Sequence, residues 1–176
     1  MSFLFDDTPG DGTCCLCENS YTYNGMARHV KKCAADHLDS DGAPEWLHIR
    51  LRAHDITRDP LRWQHVLANP AASLHQLDTH LREAWFGGSE GLGCFDITRT
   101  IYASAPAQLA NPRYPVEPMT PNLGDVLRRG TELSYMYEVK NFRRFGKAKI
   151  YGHLRRPRLH CEDASPTPEI VTLARS

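Results

Sequence analysis

Glu132-Leu133-Ser134-Tyr135-Met136-Tyr137-Glu138-Val139 is the stretch whose reading decides the fold. Leu133, Tyr135, Tyr137 and Val139 alternate with Glu132, Ser134, Met136 and Glu138, so one side of the segment is apolar and aromatic. That period of two predicts a strand with one face buried. Downstream, Ala148, Ile150, Gly152 and Leu154 repeat the period and predict an antiparallel partner, joined by a hairpin around Asn141–Gly146. Further on, 169–173 reads as another strand.

Working upstream, Leu47, Ile49 and Leu51 alternate with His48, Arg50 and Arg52, and Trp63–Leu67 reads as a short strand closed by Asn69-Pro70. Between 73 and 88 the period changes. Ser73 is a good N-cap, Leu74, Leu77, Leu81, Ala84 and Trp85 recur at helical spacing, and Gly87-Gly88 ends the run. Gln76, Asp78, Arg82 and Glu83 read as the solvated face of this helix. A strand over 94–98 follows, then a loop over 103–121 with five prolines, then a helical turn at 122–127. Strands outnumber helices and connections are short. The expected fold is α+β, a mainly antiparallel sheet with one principal helix packed on it. Leu47, Ile49, Leu74, Leu77, Leu81, Trp85, Phe95, Ile97, Leu133, Tyr135 and Tyr137 each lie on the apolar phase of their elements and should share one core.

A different pattern occupies the N-terminal part. Cys14-Cys15-Leu16-Cys17 and His29-Val30-Lys31-Lys32-Cys33 read C-x2-C-x11-H-x3-C. Two cysteines three positions apart can point into one backbone knuckle, and a His and a Cys four apart share a helix face. Cys14, Cys17, His29 and Cys33 thus supply three sulfurs and one nitrogen, the donor set of a closed structural zinc site. Tyr21 and Met26 take the places of the two core residues of a ββα finger. Cys15 is a bystander, and His37 is the substitute ligand to weigh. The expected organisation is a flexible lead-in (1–12), a C2HC-type zinc finger (13–38), a polar linker through Asp39–Pro44, and an α+β domain (45–176).

Formal charge is zero, with 21 basic and 21 acidic residues, so global charge names no partner. No stretch approaches the ~20 apolar residues of a membrane span. Met1–Phe5 is followed at once by Asp6 and Asp7, so neither the basic nor the apolar part of a secretory leader is seen, and a cytoplasmic location is expected. The charge distribution is uneven. Residues 1–45 hold eight acidic and three basic side chains, while 140–160 hold eight Lys or Arg and no Asp or Glu. Arg143, Arg144, Lys147, Lys149, Arg155 and Arg156, with Phe142 and Tyr151 interleaved, suit phosphates and stacked bases. The competing reading is a solvated edge hairpin whose cations prevent aggregation.

The order Trp46…Arg52, Trp63…Leu67, Ser73–Trp85 and Phe95-Asp96-Ile97, with Leu123-Gly124-Asp125-Val126-Leu127…Gly130…Tyr135-Met136-Tyr137-Glu138, resembles the plasmid ORF-three-like family, also called transposon-passenger or TnpR-like. The resemblance covers about 45–140, and finger-bearing members resemble 14–33 as well. Where that family ends its signature on an acidic turn, this chain has Glu138-Val139-Lys140-Asn141. The resemblance implies an α+β fold and a mobile-element neighbourhood, and supplies no catalytic residues.

An enzyme reading finds no constellation. His48 and His65 fall on polar strand sides and read as solvated; His75 and His80 lie on different helix faces; Cys94 reads as a core thiol. His153, His160 and Cys161 are candidates for a second metal site. The expected function is a non-enzymatic accessory protein of a bacterial or mobile genetic element with one structural Zn2+, whose partner is nucleic acid bound by the basic hairpin; the alternatives are a protein docked on the finger and, third, an uncharacterised enzyme.

Overall fold

A computed structural model of the chain describes residues 10–37, 45–54, 62–86, 91–109, 112–139, 142–155 and 170–175. The first elements form a ββα unit: β1 (Gly12–Cys14), β2 (Ser20–Tyr21) and α1 (Tyr23–Asp36). Thr22 caps α1, its hydroxyl accepting from the Gly25 amide at 3.1 Å. Met26, Val30, Cys33 and Ala34 are its buried residues and recur at helical spacing. Next come β3 (Glu45–His54), β4 (Trp63–Ala68) and α2 (Leu74–Phe86). Ser73 and Gln76 close α2 with a reciprocal capping box: the Gln76 amide donates to the Ser73 hydroxyl at 3.2 Å, and the Ser73 amide donates to Gln76 Oε1 at 2.7 Å.

β5 (Leu92–Ile97) and β6 (Thr100–Ala103) form a hairpin, followed by a 3-10 turn (Pro106–Gln108), β7 (Val116–Pro118) and α3 (Leu123–Val126). β8 (Glu132–Val139), β9 (Phe142–Arg155) and β10 (Ile170–Arg175) complete the chain. The strands join in one sheet of order β2-β1-β10-β4-β3-β9-β8-β5-β6-β7. The described pairs are antiparallel apart from β6 with β7. The fold is α+β with a large antiparallel sheet, as the alternation of apolar residues predicts.

Alternate positions along β3 and β4 feed two separate cores. Leu47, Ile49, Leu51, Val66 and Ala68 join Leu74, Leu77, Leu81 and Trp85 of α2, together with Phe95, Ile97, Leu133, Tyr135 and Tyr137. All eleven residues expected in one core are in it. The opposite phase, Trp46, Trp63 and Leu67, packs with Leu173, Ala174 and the finger's Cys14, Met26, Val30 and Cys33. A helix therefore covers the sheet on each face, α2 on one and α1 on the other.

Four expectations change. The hairpin placed around Asn141–Gly146 turns earlier, because Phe142 already pairs with Val139 and Gly146 with Tyr135. β9 is an interior strand between β3 and β8, so the edge-hairpin alternative falls. His48 and His65 are buried at 3% and 0% exposure, not solvated, because the finger covers their face. Asp78 is fully buried, not on the solvated side of α2. It lies at i+4 from Leu74 and three before Leu81, inside the helix stripe that meets the sheet. The proline loop also holds β7, and β6 was not foreseen.

Candidate metal centre

β1 delivers Cys14 at its end, and the chain then folds back on itself. The Glu18 amide donates to the Cys14 carbonyl at 2.9 Å, and the Cys14 amide donates to the Asn19 carbonyl at 3.0 Å. Glu18 takes the left-handed conformation (φ 61°) that reverses the chain. Cys17 is thereby turned toward α1, where His29 and Cys33 sit one turn apart. The four ligand atoms lie within 4.8 Å of one another. Cys14 Sγ is 4.0 Å from Cys33 Sγ, and Cys17 Sγ is 3.2 Å from His29 Nε2. Zinc–sulfur bonds of about 2.3 Å and zinc–nitrogen bonds of about 2.0 Å give tetrahedral edges of roughly 3.5–3.8 Å, so one ion fits. The cysteines are thiols and not a disulfide, since a bonded pair needs about 2.05 Å.

The electrostatics describe a site that wants a dication. Burial pushes the Cys33 thiol up to about 12, and the neighbouring Cys14 and Cys17 add to it. At Cys17 burial works in the same direction but is outweighed by the Asn19 backbone amide and side chain and by the other two thiols, leaving it below the ordinary thiol value. Asn19 Nδ2 lies 3.6 Å from Cys17 Sγ. Burial, then Lys32, pushes His29 down and favours the neutral imidazole that ligates. Its ring stacks on Tyr21 with centroids 3.8 Å apart and planes at 19°.

The other residues of the motif resolve. Cys15 is exposed, and its amide donates to the Leu173 carbonyl at 2.8 Å, so it serves the sheet and not the cluster. His37 Nδ1 lies 2.7 Å from the Cys33 carbonyl and 3.8 Å from its sulfur, outside the cluster of four. Among the described residues this is the one His/Cys/Asp/Glu group able to hold a metal. His153 is on β9, and His160 and Cys161 lie outside the described residues.

The finger is joined to the sheet. Thr13 pairs with Arg175 and Cys14 with Ala174, so β1 extends the sheet beyond β10. A Cβ on Gly12 would meet the Trp63 ring and come within 2.6 Å of the Arg175 carbonyl, so glycine is needed for this approach. Tyr23 stands edge-on to Trp63 at 5.7 Å, and the Arg50 guanidinium lies 4.5 Å from the Tyr23 centroid. Under this contact His48 Nε2 and His65 Nδ1 are 2.9 Å apart.

Of the basic residues, Phe142, Arg143, Arg144, Lys147, Lys149, Tyr151 and Arg155 fall on β9, and Arg156 lies outside the described residues. The register sets Lys149 opposite Glu132 and Arg50, and Arg143 opposite Glu138. A second polar cluster escaped the sequence reading. Tyr135 donates to Asp78 Oδ1 at 2.6 Å, Arg82 pairs with Asp78 Oδ2, and the Arg82 guanidinium lies 5.4 Å from the Tyr137 centroid. Burial, and then Asp78, raises the Tyr135 hydroxyl above its ordinary range, so it stays a donor. Gly93 leaves the space that Asp78 occupies. The four-residue step from Asp78 to Arg82 was the available signal.

No family model matches the chain, and no curated protein matches it. Among solved structures the chain is similar to the crystal structure of a protein of unknown function from Methanosarcina mazei Go1, at 15% identity and a TM-score of 0.49, over 68% of this chain and 66% of that one. No described helix is long and apolar enough to cross a membrane.

Proposed function

We propose that this protein is a zinc-stapled, non-catalytic binding protein whose ligand is nucleic acid. The observation that carries the zinc part is the closed donor set. Cys14, Cys17, His29 and Cys33 fill a tetrahedron from within the chain, the mark of a structural site, whereas a catalytic zinc keeps a position for water. Zinc bound there holds the knuckle to α1 and, through β1 and Trp63, holds the finger to the sheet. Three thiolate ligands need a reducing compartment, which supports a cytoplasmic location.

The nucleic-acid part is supported by the run of eight cations without a carboxylate over 140–160, and by the resemblance to the plasmid ORF-three-like family with its mobile-element neighbourhood. Elemental analysis of the purified chain should give one zinc per molecule. Mobility-shift titration should show complexes that weaken steeply with salt. Less than half an equivalent of zinc, or a coordination shell lacking sulfur, overturns the first part. No complex with duplex or single strand at low salt overturns the second, and the finger's docking of a protein partner then becomes the better reading.

A further inference from the structure

Three turns meet at one end of the sheet. β5 runs toward this end and turns through Thr98-Arg99 into β6. β7, parallel to β6, starts here after Arg113-Tyr114-Pro115, with the Ile101 amide donating to the Pro115 carbonyl at 2.9 Å. β8 starts here after Arg128-Arg129-Gly130-Thr131. The row Leu133, Ile97, Thr100 places these turns on neighbouring strands, β8, β5 and β6. Four strands about 4.8 Å apart spread them over about 14 Å. The turns contain Arg99, Arg113, Arg128 and Arg129, all exposed, and no Asp or Glu. The neighbouring carboxylates, Asp96, Glu117, Asp125 and Glu132, belong to strands and α3.

A second observation concerns the backbone. Thr98 and Arg99 have φ of 47° and 67°, the left-handed pair that a two-residue hairpin demands and that Asn-Gly fills without strain. A β-branched threonine there is an outlier. Both side chains are exposed, so neither is kept for the core. Strain retained on an exposed turn points to what the turn presents, which is the Arg99 guanidinium. The Arg128 turn is preset: the Thr131 amide donates to the Arg128 carbonyl at 2.9 Å and the Arg128 amide to the Thr131 hydroxyl at 3.0 Å, while Gly130 takes φ 87°.

We propose that this end of the sheet contacts the phosphodiester backbone of a nucleic acid through Arg99, Arg113, Arg128 and Arg129. Guanidinium forks match phosphate oxygens bidentately, and backbone contacts of this kind fix position without reading sequence. The inference rests on the nucleic-acid reading above and adds to β9 a contact surface on these turns.

The test uses the full zinc-loaded chain, mixed-sequence duplex DNA and single-stranded RNA, with binding followed by anisotropy across salt concentrations. One variant combines Arg99→Asn, Arg113→Gln, Arg128→Gln and Arg129→Gln; a second combines Arg143→Gln, Arg144→Gln and Lys147→Gln. The first should lose at least about tenfold in affinity, its salt slope becoming less steep by about 0.7–0.9 for each phosphate no longer neutralised. Unchanged binding by the first variant overturns the inference and leaves the nucleic-acid reading standing, most clearly if the second variant fails to bind. A wild type that binds neither probe sinks both. Equal, arginine-dependent binding of polyglutamate would assign the surface to an acidic protein and overturn it too. A single Arg99→Gly change should raise the melting temperature while weakening binding. A rise without weakening removes Arg99 from the surface.

Discussion

Asp78 shows how one residue can organise a helix–sheet contact. A carboxylate with no exposure is tolerable only when its charge and lone pairs are met. Here Arg82 supplies the charge from one turn along the helix and Tyr135 a hydroxyl from β8. Because Arg82 is on the same helix, the Tyr135 contact is the one of the two that ties α2 to β8. Replacing Asp78 by Ala strands a largely buried guanidinium and should cost about 3–5 kcal/mol. Tyr135→Phe keeps the ring and leaves one carboxylate oxygen short of a donor, at about 1–3 kcal/mol. Urea unfolding of the two variants should preserve that order. A loss below about 0.5 kcal/mol for Asp78→Ala would show the carboxylate to be solvated, as exposed substitutions usually measure.

At the scale of elements, what was legible followed from apolar phase. β8, β3 and α2 were readable because one face of each is apolar and the other polar, and the Cys14, Cys17, His29 and Cys33 cluster because metal geometry constrains the spacing of such donors. The two histidines that misled share one cause, distinct from that of Asp78, which sits in the buried stripe of α2. His48 and His65 look like part of a solvated strand face, yet a remote element covers them, and no local period reports coverage by α1. β6 and β7 are three or four residues long, too short to show a period. The same coverage predicts what metal removal does. Trp46 and Trp63 are buried against the finger, whereas Trp85 belongs to the core on the opposite face. Chelating zinc should therefore red-shift the emission of Trp46 and Trp63, and a Trp85→Phe variant should retain the shift. Cys17→Ser should show the shifted spectrum without chelator, because the metal supplies much of the folding energy of so small a unit. Unshifted emission after verified metal loss would mean that the finger stays docked by its apolar contacts alone.

At the scale of the whole molecule, the docked finger makes stability depend on pH. Burial, then Arg50, pushes His48 down to about 4, and burial with His48 and Arg50 pushes His65 down further. An unfolded histidine titrates near 6.5. Between about 6.5 and 4 the unfolded chain thus holds more protons than the native one, and stability rises with pH across that window. It is fully present above about 6.5 and is lost as pH falls toward the native value. For His48 the depression from 6.5 to about 4 corresponds to on the order of 3 kcal/mol. His65 acts with the same sign. Zinc ligands also compete with protons, so bound metal must be followed in the same samples. While zinc remains bound, the urea midpoint should fall steadily from pH 7 to pH 5. Replacing His48 and His65 by Gln should flatten the slope even if it lowers the absolute midpoint, because the slope counts protons and the midpoint counts packing. A slope unchanged by the double replacement would place the pH dependence elsewhere and show that both rings stay in reach of water beneath the finger.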